Sequence, residues 1–92
     1  MVHSNIWGPS QLKSTLGFQY FVTFIDDYYR YTWLFLMKNR LELFHIFQFF
    51  FNEIKTQFGI SIRVLRNDND RAYHSHSFKQ FMAYHDILHQ TS

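Results

Sequence analysis

The spacing of apolar positions changes twice along this chain, and each change marks a new kind of element. Residues 2–7 read as a short strand, ended by the Gly8-Pro9 punctuation. Residues 10–17 are polar and turn-like, closing at Gly17. Residues 18–25 are apolar on both faces, with Phe18, Tyr20, Val22 and Phe24 on one and Phe21 and Ile25 on the other. That pattern predicts a central strand buried on two sides. Asp26-Asp27-Tyr28-Tyr29-Arg30 forms a connection. Tyr31, Trp33, Phe35 and Met37 then alternate with Thr32, Leu34 and Leu36, which predicts a strand over 31–38 and an antiparallel hairpin.

From residue 40 the period lengthens. Leu43, Phe44, Phe47, Phe50, Phe51, Ile54 and Phe58 fall within a stripe roughly 120° wide on a helical wheel. The spacing predicts a helix over 40–58, stopped by Gly59. Phe49 falls on the opposite face with His45, Asn52 and Thr56, and should be exposed unless something covers it. The stripe at Phe44, Phe47 and Phe51 reads as core rather than as a base-stacking platform. Residues 60–66 predict a further long strand. Residues 76–86 predict a second helix, with Ser75 or Ser77 as N-cap and Phe78, Phe81, Met82 and His85 on one face. Residues 87–91 return to an extended pattern. The order βββαβαβ implies an α/β domain with a mixed sheet, its later strands parallel and joined through helices.

Composition narrows the class. A chain of 92 residues has room for one small domain, and 12 Phe, 6 Tyr and 2 Trp give it large side chains to bury. With 47% hydrophobic residues it is not a disordered segment. The formal charge of +2 is mild and the cations are scattered, which permits phosphate contact without predicting it. The absence of Cys excludes disulfides and thiolate metal sites. The longest apolar candidate for a membrane span, Phe18 to Met37, is interrupted by Asp26, Asp27 and Arg30, so no membrane partner is expected. The N-terminus lacks the basic head and small-residue cleavage site of a signal peptide.

Two polar residues carry the candidate chemistry. Asp68 ends the apolar run Val64-Leu65-Arg66-Asn67-Asp68-Asn69, where an acid resembles a metal ligand at the rim of a sheet. Asn5 stands in His3-Ser4-Asn5-Ile6-Trp7-Gly8-Pro9 where a partner carboxylate would be expected.

These segments, in this order, resemble the integrase catalytic core of copia-type LTR retrotransposons, a member of the RNase H-like fold. The first strand looks like that family's His-x-Asp-x-x-Gly-Pro. Phe21 to Trp33 looks like its hairpin signature, and Lys55-Thr56-Gln57-Phe58-Gly59 its helix end. Leu65-Arg66-Asn67-Asp68-Asn69 looks like its second acidic motif, and Ile87 to Ser92 resembles the strand leading towards its third acid.

The resemblance implies a site of three acids holding two Mg²⁺ or Mn²⁺ ions, with DNA as partner. Asp68 matches the second acid, so it is the expected metal ligand. Asn5 occupies the position of the first. The third acid and the C-terminal helices of the full core would lie past Ser92, which makes residues 1–92 a partial core. Two divalent cations about 3.5–4 Å apart need anionic ligands between them. A neutral amide keeps the shape of a carboxylate but loses its charge, and Mg²⁺ gives up its water reluctantly. A barrier raised by ~4 kcal/mol would slow the reaction about a thousandfold. The expectation is a degenerate, catalytically inactive integrase core, a relic rather than a working polyprotein.

The other polar and charged side chains read in plainer roles. Asp26-Asp27 reads as a turn cap or exposed ion pair near Arg30, not as an acid–base pair. Asp70 reads as a solvent-facing charge rather than a stray ligand. His74-x-His76 and His85-x-x-x-His89 do not give a fixed tetrahedral zinc set. Arg66 and Arg71 flank Asp68 and are the candidate phosphate contacts. Asp86 stands where the family tends to have Gly, and would be strained if left-handed. Exposed apolar surface favours pairing with itself or with a full-length integrase. A residual DNA-binding or self-associating module is therefore the alternative function. The resemblance implies a nuclear location, with an organellar genome as the alternative.

Overall fold

The computed structural model describes residues 1–9, 17–68 and 71–91. The turn-like segment expected at 10–17 lies outside the described residues apart from Gly17, and so do Asn69, Asp70 and Ser92.

Five strands form one sheet: β1 (Val2–Trp7), β2 (Tyr20–Asp26), β3 (Tyr31–Met37), β4 (Val64–Asn67) and β5 (Leu88–Thr91). Their spatial order is β3-β2-β1-β4-β5. β2 is antiparallel to both β1 and β3, whereas β1–β4 and β4–β5 pair in parallel. Only β2 therefore runs against the rest, and the carboxyl ends of β1, β3, β4 and β5 share one end of the sheet. Helix α1 (Leu43–Phe58) links β3 to β4, and α2 (His76–Tyr84) links β4 to β5. Both helices begin at that same end.

Local chemistry sets the boundaries. Asp26 closes β2 by accepting the amides of Tyr28 (2.9 Å) and Tyr29 (3.4 Å), so it is a turn cap. Asn39 and Glu42 form a capping box on the 3-10 turn Arg40–Glu42 that leads into α1. Gly59 ends α1 in the left-handed region at φ 66, its N–H bonded to the Lys55 carbonyl at 3.1 Å. Ser75 caps α2 by accepting the Phe78 amide at 3.3 Å.

Both helices pack on one face of the sheet. Phe24 stacks on Phe50 with ring centroids 4.3 Å apart, and Phe78 meets Phe44, Phe47 and Tyr73. Val22, Phe24, Phe47, Phe50, Leu65 and Phe78 are buried, each contributing about 1.5–3 kcal/mol of transfer free energy. Phe49 is exposed, as its wheel position requires, and touches only the edge of Phe35 among the described rings.

Two expectations need correction. The strand expected over 60–66 is only Val64–Asn67. The Ile60 N–H is held by the Ile54 carbonyl at 3.1 Å, and Ile62 is buried in the core without joining the ladder. Apolarity there serves packing, not strand pairing. The strand read over 18–25 is not buried on two sides: Val22, Phe24 and Asp26 are buried, while Phe21, Thr23 and Ile25 are only half-buried. Among the described residues no helix lies on that second face, and Trp7, Leu34, Leu36 and Leu88 are exposed there.

Candidate active site

The site is set by the register of β1 against β4. Val2 pairs with Leu65, His3 with Arg66 and Ser4 with Asn67. Continued by one residue, the register puts Asn5 beside Asp68, on strands about 4.8 Å apart. Val2, Ser4, Leu65 and Asn67 face the helices and are buried. By alternation Asn5, Arg66 and Asp68 therefore face the opposite, open side. Asn5 is half-buried and Asp68, just past the end of β4, is exposed.

The chain leaves β1 toward β2 on one side and leaves β4 toward β5 on the other. The crevice between the carboxyl ends of β1 and β4 is thus a point where the direction of winding reverses, the usual place for a ligand in an open α/β sheet.

Beneath this crevice two hydrogen bonds fix the strand ends. The hydroxyls of buried Ser4 and buried Tyr73 share one, tying β1 to the 3-10 turn Arg71–His74 that follows β4. The other joins the His89 ring Nε2–H to the Asn67 side-chain oxygen, tying β4 to β5. Burial lowers the His89 pKa from its ordinary value, and the charges of His74 and Lys79 add to that. Nothing in the linear sequence pairs these residues, because they meet only through the sheet register.

The donor set is poor in charge. Asp68 supplies one carboxylate and Asn5 a neutral amide, with the Arg66 cation two residues back on the same face. Among the described residues no three His, Cys, Asp or Glu side chains gather where a metal ion would fit. That includes the two close His pairs, although the His74 and His89 rings approach to 6.0 Å. These residues do not fit a pair of divalent cations.

Asp27 belongs elsewhere, at the far end of the sheet. It is exposed, paired with the terminal ammonium at 3.2 Å and with His3 Nε2 at 3.3 Å. A hydrogen bond from that ammonium, and then one from His3, hold its pKa below the usual carboxylate value.

Arg66 and Arg71 flank Asp68 in sequence but diverge in space. Arg66 faces the open side. Arg71 lines a cleft of about 340 Å³ with Arg40, Leu41, Phe44, Ala72 and Ser75, where the starts of both helices meet. Arg40 stands in no motif of the linear sequence; only the parallel course of β3 and β4 brings it to this end.

A mixed five-stranded sheet with a polar crevice between its first and fourth strands defines an RNase H-like domain. Residues 3–92 match the family described as integrase core domain, and the chain belongs to that family. It is 36% identical over 90 residues to the retrovirus-related Pol polyprotein from transposon TNT 1-94 of Nicotiana tabacum, covering 98% of this chain. It is 29% identical over 91 residues to the Pol polyprotein from transposon RE2 of Arabidopsis thaliana. These relatives are copia-type, and the chain spans 7% and 6% of their respective lengths. In structure it is similar to a chain of the simian T-cell lymphotropic virus intasome in complex with PP2A regulatory subunit B56 gamma. That match has a TM-score of 0.74 at 16% identity and covers 99% of this chain and 31% of the other. Integrase cores as a family use divalent metals. No helix among the described residues is long and apolar enough to cross a membrane.

Proposed function

We propose that this chain is an integrase core whose metal centre is disabled at Asn5, leaving a surface that meets DNA without cutting or joining it. The observation that carries this reading is the placement of Asn5 next to Asp68, where the resemblance expects a carboxylate. One acid beside an amide and near Arg66 leaves too little negative charge to hold two Mg²⁺ or Mn²⁺ ions together. Asp68 alone would then be left to hold the metal that in the family would activate a water and stabilise the leaving oxygen, so phosphoryl transfer is expected to fail.

Mn²⁺ binding, followed by electron paramagnetic resonance, tests this directly. The unaltered chain is expected to leave added Mn²⁺ free, and Asn5→Asp to retain more of it. Two tightly held ions per unaltered chain would overturn the reading.

DNA contact has its own support. Arg40 and Arg71 meet in one cleft at the end of the sheet where Asn5 and Asp68 lie. Cations there suit a phosphate backbone passing the crevice. Fluorescence anisotropy on duplex DNA should show affinity that falls steeply with salt, with a shallower slope for Arg71→Gln. An affinity indifferent to salt would remove DNA as the partner.

A further inference from the structure

We infer that the cleft at Arg40 and Arg71 is one half of a nucleotide-binding groove. The two guanidiniums hold the 5′-phosphate of an unpaired nucleotide, and its base lies in the aromatic cavity next door. This deepens the DNA reading above and rests on it only for where the nucleotide comes from.

Two cavities adjoin. The first, of about 340 Å³, sets Arg40, Arg71 and Ser75 beside the apolar side chains of Leu41, Leu43 and Ala72. The second, of about 600 Å³, lies along α2 and is lined by Ser77, Gln80, Phe81 and Tyr84. Phe44 lines both and is the wall they share. Its ring meets Phe81 edge-on with centroids 6.0 Å apart, so an aromatic corner stands next to the cations. Concave, mostly apolar walls with a few polar groups are the usual make-up of a small-ligand site.

Charge decides which end takes the phosphate. Arg40 and Arg71 are exposed, on the 3-10 turns that lead into α1 and α2. A guanidinium fork matches a pair of phosphate oxygens. The Ser75 hydroxyl oxygen accepts the Phe78 amide at 3.3 Å, and its own O–H can donate to a phosphate oxygen. Among the described residues no Asp or Glu lines either cavity. The Glu42 carboxylate accepts the Lys38 and Asn39 amides at 2.6 Å and 3.3 Å. Two cations suit a terminal phosphate, which carries a charge of about −1.5 to −2 at pH 7. A backbone diester brings only about one negative charge per phosphate.

The second cavity decides what the phosphate is attached to. A bare anion would leave Phe44, Phe81 and Tyr84 without a partner. A phosphotyrosine ring would meet them, but its edge has no atom for the Gln80 amide or the Ser77 hydroxyl. A nucleobase has both a flat face for aromatic contact and a polar edge for hydrogen bonds. The base must be unpaired, because in a duplex its edge is engaged and its face is stacked.

Calorimetric titration of the whole chain tests this with deoxyadenosine 5′-monophosphate, deoxyadenosine, inorganic phosphate and free phosphotyrosine. The nucleotide should bind about tenfold or more tightly than each of the other three. Arg71→Gln should weaken nucleotide and inorganic phosphate alike, and Arg40→Gln serves if Arg71→Gln does not fold. Gln80→Ala, at an exposed position, should weaken the nucleotide and leave inorganic phosphate unchanged. A 5′-phosphorylated single strand that binds more tightly than its 5′-hydroxyl form would assign the nucleotide to a strand end, and binding of the free nucleotide alone would assign it to the free pool. Inorganic phosphate or phosphotyrosine bound as tightly as the nucleotide would overturn the proposal, and so would a nucleotide that does not bind. Nucleotide binding beside a duplex affinity indifferent to salt would remove the DNA reading and leave this one, and the reverse pair of results would do the opposite.

Discussion

Ser4 and Tyr73 share a hydrogen bond between two buried hydroxyls, joining β1 to the segment just beyond Asp68. Ser4 adjoins Asn5, and Tyr73 lies five residues past Asp68. The bond therefore acts on both sides of the crevice at once. It holds β1 at mid-strand, beside Asn5, and seats the turn that carries Arg71.

Tyr73→Phe removes one partner and leaves the Ser4 hydroxyl buried without the other. The expected loss is about 1–3 kcal/mol, read from urea unfolding. Adding Ser4→Ala removes the stranded group, so the double variant should lose less than the two single losses combined. Strict additivity would show that the two hydroxyls do not interact.

Asp86 is left-handed at φ 55, two residues past the end of α2. The resemblance, whose family tends to have Gly here, raised this strain, and the backbone has it. An acid here also faces the negative end of the helix dipole. Asp86→Gly should therefore stabilise the fold by about 0.5–1 kcal/mol, seen as a higher urea midpoint. Gly59→Ala is the opposite case, because it puts a Cβ on a residue at φ 66, and about 1 kcal/mol should be lost.

The pH dependence should carry the mark of His89. Its folded pKa lies below its unfolded value of about 6.5 because burial disfavours the cation. The unfolded chain then binds more protons, so stability rises with pH across that window. Stability from this group is complete above about pH 6.5 and is lost as pH falls from there toward the lower folded pKa. Urea midpoints at about pH 5 should lie below those at about pH 7.5, and His89→Gln should narrow the gap. An unchanged gap would assign the acid sensitivity to other groups.

Local pattern alone carried much of the fold. The limits of β1, the hairpin, the stop of α1 at Gly59 and the Ser75 cap all follow from side-chain period and end chemistry, which act over a few residues. The shortness of β4 was not legible, because an apolar run looks the same whether it joins a ladder or fills a core, as Ile62 does. Nor can a period of two say whether a sheet's second face is covered. Phe21 and Ile25 read as buried on a second face and are only half-buried at an open one. The pairing of Asn5 with Asp68 came through family resemblance, since 63 positions in the chain separate them. No such pattern linked Arg40 to Arg71 or Asn67 to His89, which meet only once the strand order is set.

The Asn5–Asp68 relationship gives a stability test that needs no nucleic acid. Asn5→Asp sets two carboxylates side by side on adjacent strands. Without metal they repel, so the variant should unfold at lower temperature than the unaltered chain. A divalent cation that binds the folded site and not the unfolded chain reverses this through mass action, by about 2.7 kcal/mol at a hundredfold excess over the dissociation constant. Melting curves with Mn²⁺ should therefore rise steeply for Asn5→Asp and stay flat for the unaltered chain. On the proposed reading, the amide would remove the repulsion and the metal affinity together, leaving the unaltered chain more stable without metal than Asn5→Asp. Equal Mn²⁺ shifts in both proteins would mean that Asp68 and its surroundings bind the ion without help from position 5, and the charge-deficit account would fall.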